Sequence, residues 1–133
     1  MIYQEMQEDL MRELRLYHYP IAVKFFFDAG EVRKFKDAAT EYQMPLKPTT
    51  YCQWEISPRM QGKIVYSEVE GLGCSNARCS FGWKEVDEAE VKGQLKYVRD
   101  MEQGERFVRS KVSLPRGLID IAVANGSDRK SVV

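Results

Sequence analysis

Three cysteines are the residues of this sequence whose type and spacing are best suited to chemistry. Cys52, Cys74 and Cys79 all lie between Thr49 and Trp83 of the 133-residue chain. Thiolates are soft ligands that suit zinc and iron–sulfur clusters. Plant-type ferredoxins share the gap between Cys74 and Cys79 but carry a further cysteine two residues later, which this chain lacks. We expect Cys52, Cys74 and Cys79 to ligate zinc or an iron–sulfur cluster, in a protein with a redox or regulatory role.

Three thiolates leave one coordination position open, and the thiols also have a metal-free use. His18, the only histidine, or a partner subunit could supply the fourth ligand, although an ordinary packing role fits His18 better. In the absence of a metal, Arg78 and a helix N-terminus would stabilise a Cys74 thiolate. Cys79 could then resolve an oxidised Cys74 as a disulfide.

A small-ligand site is the alternative that the same stretch allows. Gly71 and Gly73 let the backbone approach a ligand closely, while Arg78 and Trp83 offer a cation and an aromatic wall. We expect these four residues to bind a carboxylate or a phosphate, with the cysteines only structural. The expected neighbours of this site are Tyr51, Trp54 and Lys84. No phosphate-loop or dinucleotide fingerprint extends the two glycines, so we do not expect nucleotide binding there.

Composition excludes several classes of protein. Lys plus Arg and Asp plus Glu are both 20, so the formal net charge is zero and gives no nucleic-acid footprint. No apolar run approaches the roughly 20 residues that span a bilayer. The segment from Met1 to Arg15 lacks a signal peptide's apolar core, and three cysteines do not suit a disulfide framework. We expect a cytoplasmic protein that binds neither nucleic acid nor membrane.

The hydrophobic pattern predicts one domain over residues 1–133, with an α+β fold in which about four helices pack a mixed or antiparallel sheet. The first helix carries an apolar stripe, which we expect to pack in the core. The last two strands are expected to pair antiparallel, and residues 126–133 to form a loose tail. The predicted helices are Ile2 to Tyr17, Glu31 to Tyr42, Thr49 to Arg59, Ser75 to Phe81 and Asp87 to Met101; the predicted strands are Ile21 to Phe27, Lys63 to Glu70, Phe107 to Leu114 and Leu118 to Val123.

These segments together resemble the bacterial and archaeal domain of unknown function 169 family. The run Tyr19-Pro20-Ile21-Ala22-Val23-Lys24-Phe25 is similar to the family's PPVAVKF strand. Cys52 after a proline-rich break, and Cys74 followed by Phe81-Gly82, add to the likeness, which covers roughly Leu14 to Trp83. The family's activity is not established, so the resemblance implies a cytoplasmic prokaryotic protein and no particular reaction. We also expect a homodimer.

Overall fold

The computed structural model describes residues 2–38, 41–111 and 113–126, with residues 2–4 described by their backbone. These residues form a three-stranded antiparallel sheet and α-helices on both of its faces, so the α+β prediction is confirmed. A single 3₁₀ turn, Val69–Gly71, is described as well. The elements are α1 Ile2–Glu13, β1 Ile21–Phe26, α2 Ala29–Ala38, α3 Tyr51–Gln61, β2 Val65–Ser67, α4 Ser75–Ser80, α5 Glu88–Gly93, α6 Met101–Arg109 and β3 Asp120–Asn125.

The sheet has the order β1-β3-β2, and β3 is its central strand. In register, Ile21 lies opposite Asn125, and Val65 lies opposite Val123. Every residue of β3 is buried, as expected of an apolar run that is covered on both faces. The prediction that β1 is also covered on both faces is wrong at Val23, because β1 is an outer strand and Val23 is exposed.

Two hydrophobic layers hold the helices against the sheet. On the α2 face, the rings of Phe26 and Phe35 lie 5.3 Å apart and those of Phe35 and Tyr66 lie 5.5 Å apart. On the α3 face, Trp54 packs with Ile121 and other buried residues. Side chains from the sheet therefore fill both layers.

Helix α3 begins where its sequence predicts. Thr50 is the N-cap, and its backbone N–H donates to Gln53 Oε1 at 3.1 Å, half of a capping box. Pro58 lies inside the helix without ending it, and Gly62 ends it in the left-handed conformation, with φ of 66°. Trp54 and Pro58, four positions apart, are buried on the face that meets the sheet.

The expected packing of the first helix is wrong. Helix α1 ends at Glu13, and its stripe of Met6, Leu10 and Leu14 is 53%, 42% and 62% exposed. Only the neighbouring face, with Gln7 and Met11, is partly buried. Amphipathic spacing predicted the helix correctly, but the partner of its apolar stripe is not the core.

The late part of the chain departs most from the prediction. The single helix expected from Asp87 to Met101 is confirmed only over α5, Glu88–Gly93, and turns follow it. Helix α6 begins where that prediction ended, with Asp100 as its N-cap, which accepts from the backbone N–H of Gln103 at 2.9 Å. The strand expected from Phe107 to Leu114 is wrong, since α6 continues to Arg109. The predicted pairing of the last two strands is wrong as well, because β3 pairs with β1 and β2.

The remaining predictions shift their boundaries. The strand expected from Lys63 to Glu70 is limited to Val65–Ser67 and is followed by the 3₁₀ turn. The short helix after Gly73 is confirmed as Ser75–Ser80. Tyr42 lies outside α2, and the tail beyond Gly126 lies outside the described residues. Among the helices of the described ranges, none combines the length and apolarity that a bilayer crossing requires.

Candidate functional site

The glycines of the Thr49–Trp83 stretch serve close packing of the chain on itself. The backbone N–H of Thr49 donates to Gly71 O at 3.0 Å, and that of Gly73 donates to Thr49 O at 2.8 Å. A Cβ on Gly73 would lie 3.1 Å from the carbonyl carbon of Pro48, and one on Gly71 would collide with Ser67 Oγ. Both glycines are therefore needed where backbone segments meet, whether or not a ligand binds nearby.

Arg78 and Trp83 direct their polar atoms at the protein's own backbone. Arg78 Nε donates to Leu72 O at 2.7 Å, and its Nη2 donates to Val69 O at 3.1 Å. Trp83 Nε1 donates to Leu118 O at 2.7 Å. The arginine thus caps the 3₁₀ turn, and the tryptophan ties the loop after α4 to the segment before β3. These contacts explain both residues as supports of the fold.

The three cysteines occupy different environments. Cys52 is exposed on α3, Cys74 packs against the apolar layer on the α3 face, and Cys79 is half-buried with its Sγ 3.8 Å from Glu85 O. Burial, with a smaller contribution from Glu90, raises the pKa of the Cys79 thiol, which lowers its thiolate fraction.

No disulfide joins the cysteines. Across residues 2–38, 41–111 and 113–126, no three His, Cys, Asp or Glu residues form a group that could hold a metal ion. The cysteine-ligated metal therefore stays a prediction, and the described residues lend it no support.

A polar cluster that was not predicted from the sequence joins α4 to α5. Lys84 Nζ lies 2.8 Å from both Ser75 Oγ and Glu90 Oε1, and 3.2 Å from Asp87 Oδ2. Hydrogen bonds to Glu90 and then Asp87 raise the pKa of Lys84, while those from Lys84 and then Ser75 lower the pKa of Glu90. Both groups therefore stay charged. A serine nucleophile would need a neutral lysine as its base, so this cluster acts as an ion-pair anchor.

An open groove with a volume of about 700 Å³ lies where the α1–β1 connection, β1 and α3 meet. Its lining residues come from three short segments, for which the sequence analysis predicted no common role. The lining residues are Arg15, Leu16, Tyr17, His18, Tyr19, Pro20, Ile21, Val23, Glu55 and Arg59.

Local backbone geometry positions the first wall of this groove. Arg15 has φ of +49°, the left-handed conformation that usually ends a helix at glycine. The backbone N–H of Leu16 then reaches back to Met11 O at 3.2 Å. At the other end of the connection, Pro20 O accepts from the N–H of Gly126 at 2.8 Å. The connection is thus held at both ends by backbone hydrogen bonds.

Helix α3 supplies the second wall. Glu55 and Arg59 are four residues apart and so share one face of the helix, while Trp54 and Pro58 hold the adjacent face in the core. Glu55 interacts with the hydroxyl of Tyr51, and burial together with Glu55 raises the pKa of that hydroxyl to about 12. Arg59 makes no ion pair or hydrogen bond with a described residue.

The groove was not predicted from the sequence. His18 was interpreted as a packing residue or a spare metal ligand, and Arg15 and Arg59 had no assigned role. The consecutive rings of Tyr17, His18 and Tyr19, placed between a charged helix and a strand-opening proline, are the signal that could have pointed to it. A link to Arg59 required the tertiary structure.

Comparison with known proteins gives a family. A family model described as an uncharacterised ArCR, domain of unknown function 169, matches residues 9–127. No curated protein and no solved structure matches the chain. The matched residues extend beyond the Leu14–Trp83 segment on which the resemblance was based, and they contain the whole groove and all three cysteines. The chain therefore belongs to the domain of unknown function 169 family.

Proposed function

We propose that this protein binds a small anionic molecule, a carboxylate or a phosphate, in the groove between the α1–β1 connection and α3. The observation that carries the proposal is that Arg15 and Arg59 both line this groove without any ion pair or hydrogen bond to a described residue. Most other described arginines are paired: Arg12, Arg78, Arg99, Arg106, Arg109 and Arg116.

The charge of the groove favours an anion. Two guanidinium groups stand against one carboxylate, Glu55, which already interacts with the Tyr51 hydroxyl. Guanidinium groups bind carboxylates and phosphates through paired N–H donors in a planar fork, and these hydrogen bonds are stronger than neutral ones. An anion between Arg15 and Arg59 would therefore supply the acceptors that these side chains lack.

The size of the groove fits a small molecule. Small-molecule sites span roughly 300–1,000 Å³ and combine an apolar lining with a few polar groups. Here the volume is about 700 Å³, and Ile21, Val23 and Pro20 supply apolar surface beside the charged groups. The class of ligand is the one that the alternative interpretation of the sequence expected in place of a metal, while the position differs from Gly71, Gly73, Arg78 and Trp83.

A titration with sodium phosphate and with sodium acetate at constant ionic strength, followed by ¹⁵N NMR, tests the proposal. We expect the chemical shifts to change only in residues 15–23, in the first turns of α3 and around Arg59. Arg59→Gln should lower the affinity for both anions about tenfold, because roughly one charge-assisted hydrogen bond is lost. The matched control is Arg33→Gln, because Arg33 is an exposed arginine of α2 on the other face of the sheet. Equal affinity in both variants, or shifts elsewhere, would contradict the proposal.

The compartment and the assembly are part of the same proposal. Three cysteines without a disulfide suit a reducing, cytoplasmic environment. Cell fractionation tests the compartment. The homodimer stays a prediction. Light scattering of the purified protein tests it, because a monomer has the mass of one 15.4 kDa chain and a dimer has the mass of two.

A further inference from the structure

Aromatic side chains that lack ring partners stand beside the unpaired arginines. Tyr17 is 98% exposed and Tyr19 is 47% exposed, and both line the groove together with His18. Large aromatic side chains normally bury most of their surface and pack against other rings. A nearly fully exposed tyrosine at a cleft therefore calls for an explanation.

Of the other tyrosines with described side chains, Tyr42, Tyr51 and Tyr66 have ring partners, and Tyr97 has a cation over its ring. Tyr42 and Tyr66 lie 5.4 Å apart as a ring pair, Tyr51 pairs with Trp54 at 5.9 Å, and Lys96 Nζ lies 5.0 Å from the Tyr97 ring centre. No ring or cation contact of this kind involves Tyr17 or Tyr19 among the described residues. The free rings and the free guanidinium groups thus occur together, in one groove.

From this coincidence we propose that the ligand is a planar aromatic or heteroaromatic ring that carries a carboxylate or a phosphate. The inference rests on the proposed function and specifies its ligand class. The anionic group meets Arg15 and Arg59, and the ring lies against the side chains of Tyr17 and Tyr19. A bare phosphate or acetate displaces only a few waters of about 30 Å³ each, and so it leaves most of the groove and both tyrosine rings in water. A ring fills that space and gains offset or edge-to-face contacts.

The test uses two pairs of probes that differ only by the ring. Benzoate is compared with acetate, and phenyl phosphate with methyl phosphate, by NMR titration or calorimetry of the full chain. Stacking on one aromatic side chain contributes about 1–3 kcal/mol, which corresponds to an affinity at least about fivefold higher for the ring-bearing member. A gain in the carboxylate pair identifies an aromatic acid as the ligand, and a gain in the phosphate pair identifies an aromatic phosphate.

Variants separate the ring contact from the charge contact. We expect Tyr17→Ala to abolish the ring-dependent gain, measured as the ratio of affinities within each probe pair, while Tyr17→Phe retains that ratio. The control is Tyr97→Ala, which removes a ring that is also largely exposed, at 74%, but lies away from the groove. Tyr17 supports no buried contact, so these variants should fold.

The outcomes distinguish this inference from the proposal beneath it. If all four probes bind, with no gain from the ring or no effect of Tyr17→Ala, the ring inference is overturned and the anion site stands. If none of the four probes binds at millimolar concentration, both fail.

Discussion

Arg15 and Arg59 line the same groove, Arg15 from the left-handed turn that follows α1 and Arg59 from α3. Neither side chain is paired with a described residue. A left-handed conformation costs a non-glycine residue about 1–2 kcal/mol, so Arg15 occupies a position where glycine would be better for the helix end. Strain of this kind at a cleft is consistent with a side chain retained for binding.

Replacing Arg15 by glycine separates stability from binding. Because glycine adopts positive φ freely but loses more entropy on folding, we expect Arg15→Gly to leave the free energy of unfolding unchanged or to raise it by up to about 1 kcal/mol. The same variant should weaken phosphate binding about tenfold, as one guanidinium is lost. Urea denaturation and phosphate titration measure the two effects. Arg33→Gly is the control: inside α2 it should cost about 1 kcal/mol and leave binding intact.

Replacing Arg78 should lower stability without changing phosphate binding. Its side chain donates to Leu72 O and Val69 O, so Arg78→Met should lower the free energy of unfolding by about 1–3 kcal/mol, through carbonyls left without donors. Phosphate affinity should stay at the wild-type value. A variant that folds normally but no longer binds phosphate would return the anion site to the glycine-rich stretch and would contradict the groove proposal.

The buried carboxyl of Asp120 predicts a pH dependence of stability. Burial raises its pKa, and this outweighs the hydrogen bond that the Tyr66 hydroxyl donates to it. The folded chain therefore binds the Asp120 proton more tightly than the unfolded chain does. The stability that Asp120 contributes is fully present below its unfolded-state pKa, near 3.9. It is lost as the pH rises through the higher folded-state pKa.

Asp120→Asn tests this expectation, since asparagine still accepts from Tyr66 but cannot ionise. The free energy of unfolding of the variant, relative to wild type, should rise with pH across that window in urea denaturation. The charges nearby, Lys36, Glu68 and Glu70, are common to both chains and cancel in the difference. Asp120→Ala serves as a control, because it removes the acceptor and should cost about 1–3 kcal/mol. A difference that does not vary with pH would show that Asp120 is not the titrating group.

Metal analysis tests the prediction that the three cysteines ligate a metal. The cysteine-ligated metal stays a prediction, so protein purified without oxygen is expected to contain stoichiometric zinc, or iron with acid-labile sulfide, and the colour of a cluster should be lost in Cys74→Ser. Colourless, metal-free protein with an intact fold would contradict it. Cys52→Ser gives a comparison at an exposed position.

Local sequence signals predicted the elements whose formation depends on residues that are close together in the chain. A threonine, Thr49 or Thr50, was expected to cap α3, and Thr50 is its N-cap. The Asp87 side chain accepts from the N–H of Glu90 at 2.9 Å, as a cap should. The run Ile21–Phe25 was recognised as a strand and as part of the family resemblance. The second cap, Asp100 with Gln103, was equally readable in the sequence but was overlooked, so the prediction ended a helix at Met101, where α6 begins.

Periodicity failed where two periods fit the same few residues. Alternation around Val108 suggested a strand, but Gly104 and Val108 are buried four positions apart, the spacing of a helix face. The stripe of α1 was a true helical pattern whose burial could not be known from the sequence. An apolar helix face indicates that another surface covers it, but the sequence does not identify that surface.

The sequence by itself determined the mixed α and β composition, since this follows from residue types and short-range spacing, and its resemblance to domain of unknown function 169 identified the family. Only the tertiary structure decided where the candidate site lies. Arg15 and Tyr17 line the same groove as Arg59 because β1 pairs with β3 and α3 packs across the same sheet. Those contacts join segments far apart along the chain, so their register and packing depend on the whole core, and no local pattern encodes them.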